Sequence, residues 1–267
     1  MPTDMCVMLV LYTLSSFCIE FWGMGYAEVL TLLCALMIVV LVIFSLLAQD
    51  VKQSTRSNNA DFVSVMKMTF FDHKAIAILH PMSMSFGFAN VFFAVYVNVY
   101  TVDQYLGDYA VGYTNAIQCA IAAVIPLSIV DALYGRTVGL SLSSLAYVLL
   151  GGAYLVFTNR ELGNWVVVVL LCAFYAIGRF SWLSSSRAII TESFAEDEAA
   201  AFASFNFING LSSTLLCFIL SLGVTNSAVL AFFVIAPALL MTPCYYMAKK
   251  DGTANQSSPM ENPELDL

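Results

Sequence analysis

Charge is what this sequence has least of. Only 10% of its 267 residues are Asp, Glu, Lys or Arg, while 60% are apolar. A soluble domain keeps about a quarter of its residues charged to face water, so a soluble enzyme is excluded. Strands of about ten residues alternating polar with apolar are also missing, which removes a membrane β-barrel. Histidine is nearly absent: His73 and His80 stand without a ligand-spaced companion, so no metal centre is expected. The seven cysteines show no CxxC spacing and all fall in or beside apolar runs. They read as small packing residues rather than a disulfide framework. Met1 to Asp4 holds no basic residue, so the apolar run 5–22 makes a poor signal peptide and reads as a membrane span. No phosphate-cradling glycine loop, Ser-His-Asp grouping or paired carboxylates with a cleft is found, so neither an enzyme nor a cofactor is expected.

What is present is a succession of apolar runs of about twenty residues, each long enough to cross about 30 Å of hydrocarbon as a helix. The mean hydropathy is +0.84. Lipid offers the backbone no hydrogen-bond partner, so these runs must be helical. The expected fold is an all-α integral membrane protein with about eight spans, at 5–22, 27–48, 75–100, 109–130, 137–157, 165–186, 200–220 and 228–247. A polar stretch, 49–61, separates the second span from the third. It leads into 62–71, where Phe62, Val65, Met66 and Phe70 share one helical face and suit the membrane surface. The segment 248–267 reads as a disordered tail.

Lys52, Arg56, Lys67, Lys74, Arg136, Arg187, Lys249 and Lys250 all fall on one side of this plan, and only Arg160 on the other. The positive-inside rule then places both termini and the 49–74 loop in the cytoplasm. The match to a glycosylation acceptor at Asn255-Gln256-Ser257 would be unused there. The net charge of −8 comes largely from acidic residues in one loop and the tail, which read as solvated ends. Lipid is the expected partner, with another membrane protein or a second copy of the chain beside it. Nucleic acid is not expected. The terminal Leu265-Asp266-Leu267 also suits strand addition to a PDZ-type groove.

Two spans, a long loop and six closely connected spans form an asymmetric plan. Major facilitator transporters join two six-helix halves by such a loop. Residues 75–247 would be a complete C-terminal half. Residues 1–48 would be the last two helices of an N-terminal half that is incomplete. Ile78-Leu79-His80-Pro81, Gly87, Phe92-Phe93, Val111-Gly112-Tyr113 and Gly135-Arg136 carry a family likeness, as does the stretch with Ala176-Ile177-Gly178, Trp182 and Ala199-Ala200-Ala201-Phe202-Ala203. On these residues the chain resembles the Unc-ninety-three-like family of the major facilitator superfamily. The resemblance implies a regulator of channels or an escort of receptors. A secondary transporter of a small solute is the alternative, and a truncated product without its own function is the third reading. Arg179 stands where the family has Asp, and Asp131 precedes Gly135 by four positions where the superfamily signature has three.

Transporters of this plan bind substrate near the midplane between polar side chains. The candidate cavity lining is Asn90 and Asn98 of the third span, Asn115 and Gln118 of the fourth, and Asn206 and Asn209 of the seventh. The competing reading is that such amides only hydrogen-bond helix to helix. Arg179 lies deep in the sixth span, where a charge costs about 3 kcal/mol on insertion scales. It is expected either to snorkel to the cytoplasmic interface or to pair with Asp131 or Glu192 as a latch on the inner face. Gly135 and Arg136 form the expected turn that helps gate that face.

Overall fold

The computed structural model describes residues 74–124, 135–194 and 198–256, together with Val10, Tyr12, Thr13, Phe17, Glu20 and Thr31. Most of predicted spans one and two, the surface segment 62–71, Asp131 and the residues after 256 lie outside that set. All regular structure among the described residues is helical.

The third span begins as α1 (Lys74–Val91), continues as a π-helical segment (Phe92–Asp103) and ends in the single turn α2 (Gln104–Leu106). Then follow α3 (Asp108–Val124), α4 (Arg136–Val156), the short α5 (Asn159–Leu162), α6 (Trp165–Ser193), α7 (Glu198–Ser221) and α8 (Ser227–Gln256). Five of these helical stretches, Ile76–Leu106, Arg136–Val156, Trp165–Ser193, Glu198–Ser221 and Ser227–Lys250, are long and apolar enough to cross a membrane. The shortest of the five, α4, holds 21 residues, about 31 Å at 1.5 Å per residue. The helix α3 reaches the edge of the described residues at 17 residues. The chain is therefore an all-helical, multi-pass membrane protein.

The predicted starts of the six described spans agree with the helices to within two residues, but three helical stretches clearly outrun their predicted ends, the third span reaching Leu106 rather than 100. α6 continues to Ser193 and α8 to Gln256, so the segment predicted as a tail from 248 begins in helix. Hydropathy marks only the apolar stretch, and a helix can continue into water on polar residues once its backbone bonds are formed. Loop side chains set the starts. Asn164 Oδ1 accepts the Val166 N–H at 3.0 Å and Asn226 Oδ1 accepts the Ala228 N–H at 2.9 Å, each meeting a donor that the first turn leaves open.

The helices pack in a pattern with its own symmetry. α1 lies against α8 and α7, α6 lies against α4 and α3, and α4 and α8 pack on each other. Exchanging α1 with α6, α3 with α7 and α4 with α8 leaves this set of neighbours unchanged. Each set holds three long helices, an odd number, so the second runs through the bundle in the opposite sense to the first. The polar bonds agree. Trp182 Nε1 donates to the Met82 carbonyl at 2.8 Å and Tyr175 Oη donates to Asn90 Oδ1 at 2.7 Å, so α1 and α6 are antiparallel. Ser144 Oγ donates to the Ala238 carbonyl at 2.6 Å while Ser141 and Thr242 hydroxyls lie 3.5 Å apart, so α4 and α8 are antiparallel too.

At the end away from Arg136, tyrosines tie the connections together. Tyr96 Oη donates to the Thr225 carbonyl and accepts from Asn159 Nδ2, both at 3.2 Å. Thr101 and Tyr154 share a hydrogen bond of 2.9 Å. Beside them, the Thr158 backbone N–H and hydroxyl both donate to Glu161, at 2.8 and 3.0 Å, and hold its carboxyl below the usual carboxylate range. A lowered carboxyl pKa stabilises the turn above the unfolded value, and that gain is lost as pH falls through the folded value. Amide exchange across Glu161–Gly163, corrected for its intrinsic pH dependence, should therefore quicken on acidification. Glu161→Gln should flatten that response, and a wild-type profile that is already flat would contradict it.

Candidate functional site

The polar centre of the bundle is built around Arg179. It sits fourteen residues from either end of α6, so its Cα is about 21 Å from each end. The charge therefore lies well inside a helix of membrane-crossing length, where it needs partners. Helical side chains lean toward the N-terminus of their helix, and Arg179 follows this lean. Its Nη1 reaches the hydroxyl of Tyr175, one turn back, at 3.5 Å. The snorkelling expectation toward the Arg136 end therefore does not describe this side chain. The guanidinium carbon lies 6.0 Å from the Tyr175 ring centroid and 5.8 Å from that of Phe180, within range of a cation–π attraction. Tyr147 of α4 and Tyr12 are within electrostatic reach.

Tyr175 couples this charge to α1. Its ring stacks on Phe93 with centroids 4.4 Å apart, and its hydroxyl donates to Asn90. Asn90 and Arg179 are half-buried, while Tyr175 is buried. The result is a chain of polar contacts, Arg179–Tyr175–Asn90, across the α1–α6 crossing. One turn further along α6, Trp182 stacks on Phe86 with centroids 4.0 Å apart and fixes the crossing. Gly178 lets Tyr147 lie against α6: a Cβ there would meet the ring at 2.6 Å. The Gly178 carbonyl in turn accepts the Ser143 hydroxyl at 2.7 Å. The Nε of Arg179 is buried and has no partner among the described residues.

The other expected residues separate into local pairs. Asn98 Oδ1 accepts from Thr114 at 3.3 Å, and its Nδ2 donates to the Ala94 carbonyl of its own helix at 3.3 Å. Gln118 donates to Asn115 at 3.4 Å. Asn209 packs beside Gly87 at the α1–α7 contact, and Asn206 is exposed. Of the six amides, only Asn90 joins Arg179.

The expected latch divides differently. Glu192 forms its ion pair with Arg136, which also donates to the Ala188 carbonyl at 3.1 Å. Arg179 and Glu192 lie thirteen residues apart on one helix, about 20 Å, so their side chains do not meet. Asp131 falls outside the described residues. Gly135 precedes Arg136 at φ 85°, a left-handed conformation that suits glycine at this turn. Arg136, Arg187, Thr191 and Glu192 line a cavity of about 390 Å³ at this end. Reading the sequence for amides missed Tyr175, although its spacing of four from Arg179 places both on one face. Among the described residues, no group of three or more His, Cys, Asp and Glu is placed to hold a metal.

The fold and this centre define a class, a polytopic helical membrane protein with an arginine inside its bundle. In comparison with family models, curated proteins and solved structures, none matches this chain.

Proposed function

We propose that this protein is of major facilitator type, as its resemblance to the Unc-ninety-three-like family implies, and acts as a regulator or trafficking partner of another membrane protein, a channel or a receptor. The observation that carries this reading is the open face of α7. Asn206, Gly210, Thr214, Cys217 and Ser221 are all exposed and follow one another at helical spacing. α7 is also the least buried of the membrane-length helices. Small and polar residues on a membrane helix let another helix approach closely and hydrogen-bond. The packing exchange between the two sets of three helices supports the major facilitator plan, whose halves are built from inverted triplets.

The test is a photo-crosslinking residue placed at Asn206 or Gly210 in cells, with Phe232 of α8 as the control. The α7 positions are expected to join a channel or receptor, and Asn206→Leu with Gly210→Leu is expected to lower that partner's surface level. Equal crosslinking from Phe232, or an unchanged surface level, would remove the reading. A secondary transporter of a small solute is the second reading, supported by Arg179, Tyr175 and Asn90 within the bundle. It predicts solute flux that Asn90→Ala abolishes.

A further inference from the structure

We propose that Arg179, Tyr175 and Asn90 form a binding site for a small monocarboxylate with an apolar body. The inference goes beyond the helix-partner reading of α7 and does not depend on it.

Charge comes first. Arg179 keeps its proton under all ordinary conditions, and among the described residues no acidic side chain is among the charges that act on it. Its neighbours supply a hydroxyl and two aromatic faces, which solvate a cation without neutralising it. A monoanion balances one guanidinium, whereas a phosphate dianion would leave net charge in a low-dielectric interior.

The donors then select among monoanions. Nη1 is turned to Tyr175, while Nε carries no partner among the described residues. A guanidinium presents Nε and Nη2 as two parallel donors whose spacing fits both oxygens of one carboxylate. Chloride, a single acceptor centre, does not use that fork. Tyr175 is held by Asn90 and by stacking on Phe93, so the face toward α1 is already set before a ligand arrives. Phe180 offers apolar ring surface beside the charge. Arg179 and Asn90 are both half-buried, so they remain within reach of a ligand.

The test uses the purified full chain in lipid nanodiscs, titrated with benzoate. Benzamide serves as the neutral isostere and inorganic phosphate as the dianion. Benzoate is expected to raise Tm by about 5 °C at saturation. Benzamide and phosphate should leave it unchanged. Arg179→Gln should abolish the shift. Arg179→Lys, which keeps the charge and loses the fork, should weaken binding about tenfold, as should Asn90→Ala. If Arg179→Gln does not fold, Tyr175→Phe carries the test, with benzoate binding weakened by a similar factor. No benzoate shift in the wild type, as when an acidic side chain already fills the site, overturns the proposal. An equal response to benzamide, or a full response in the Arg179 variants, overturns it as well. Success or failure here is read separately from crosslinking at α7.

Discussion

Gly87→Val is expected to produce one of the two largest losses of stability available by a single substitution in this bundle. A Cβ at residue 87 would stand 2.6 Å from the backbone carbonyl oxygen of Asn209 and 3.0 Å from Ser212 Cβ. The first of these is main chain in the middle of α7, so no side-chain rotation relieves the overlap. The two helices must separate, and the bond from Ser213 Oγ to the Gly87 carbonyl, 3.2 Å, goes with the contact. Overpacking of this kind costs about 1–3 kcal/mol, and the lost hydrogen bond adds about 1 kcal/mol. Gly152→Ala is the matched control, because its added Cβ meets nothing within 4 Å. It should be neutral or slightly stabilising, since alanine suits a helix interior better than glycine. Thermal unfolding of both variants in one detergent decides the point, and equal midpoints would show that the α1–α7 contact is looser than described.

The second large effect is expected for Trp182→Ala. Trp182 is 5% exposed, stacked on Phe86, and bonded through Nε1 to the Met82 carbonyl. Truncation leaves a cavity between α1 and α6 and should cost about 3–5 kcal/mol. Trp182→Phe keeps much of the ring volume but removes the donor, so it should cost about 1 kcal/mol. A large gap between the two variants assigns the effect to packing. Similar losses in both would assign it to the hydrogen bond instead. Because the same crossing carries Asn90 and Tyr175, Trp182→Ala should also loosen the polar chain that ends at Arg179.

These two residues show where the sequence could be read and where it could not. The runs around Gly87 and Trp182 are apolar over about twenty residues, and that alone dictates membrane-length helices. Asn164 and Asn226 likewise mark helix starts by chemistry that needs no partner element. Periodicity places Gly87 and Asn90 on a face of α1, but it does not say which helix lies opposite. Asn209 was therefore legible as polar and inward, though not as the residue whose backbone fills the space left by a missing Cβ. Arg179 was legible as a charge in need of company. Its partner Tyr175 is one turn back on its own helix and passes the contact on to Asn90 of α1, because the N-terminal lean of the side chain turns it from the latch. The π-helical segment Phe92–Asp103 has no mark in its composition, since each N–H there simply reaches one residue further back than usual.

The exchange of neighbours between the two sets of three helices bears on how the molecule knows which way up it is. A neighbour pattern that survives this exchange reads the same from either side of the membrane. That pattern alone, among the described helices, holds no record of orientation. The expected record lies with a handful of basic residues, Arg136, Arg187, Lys249 and Lys250 toward one end and Arg160 at the other. Among the described residues, the expected signal for orientation thus lies in a few basic residues and not in the neighbour pattern of the six helices.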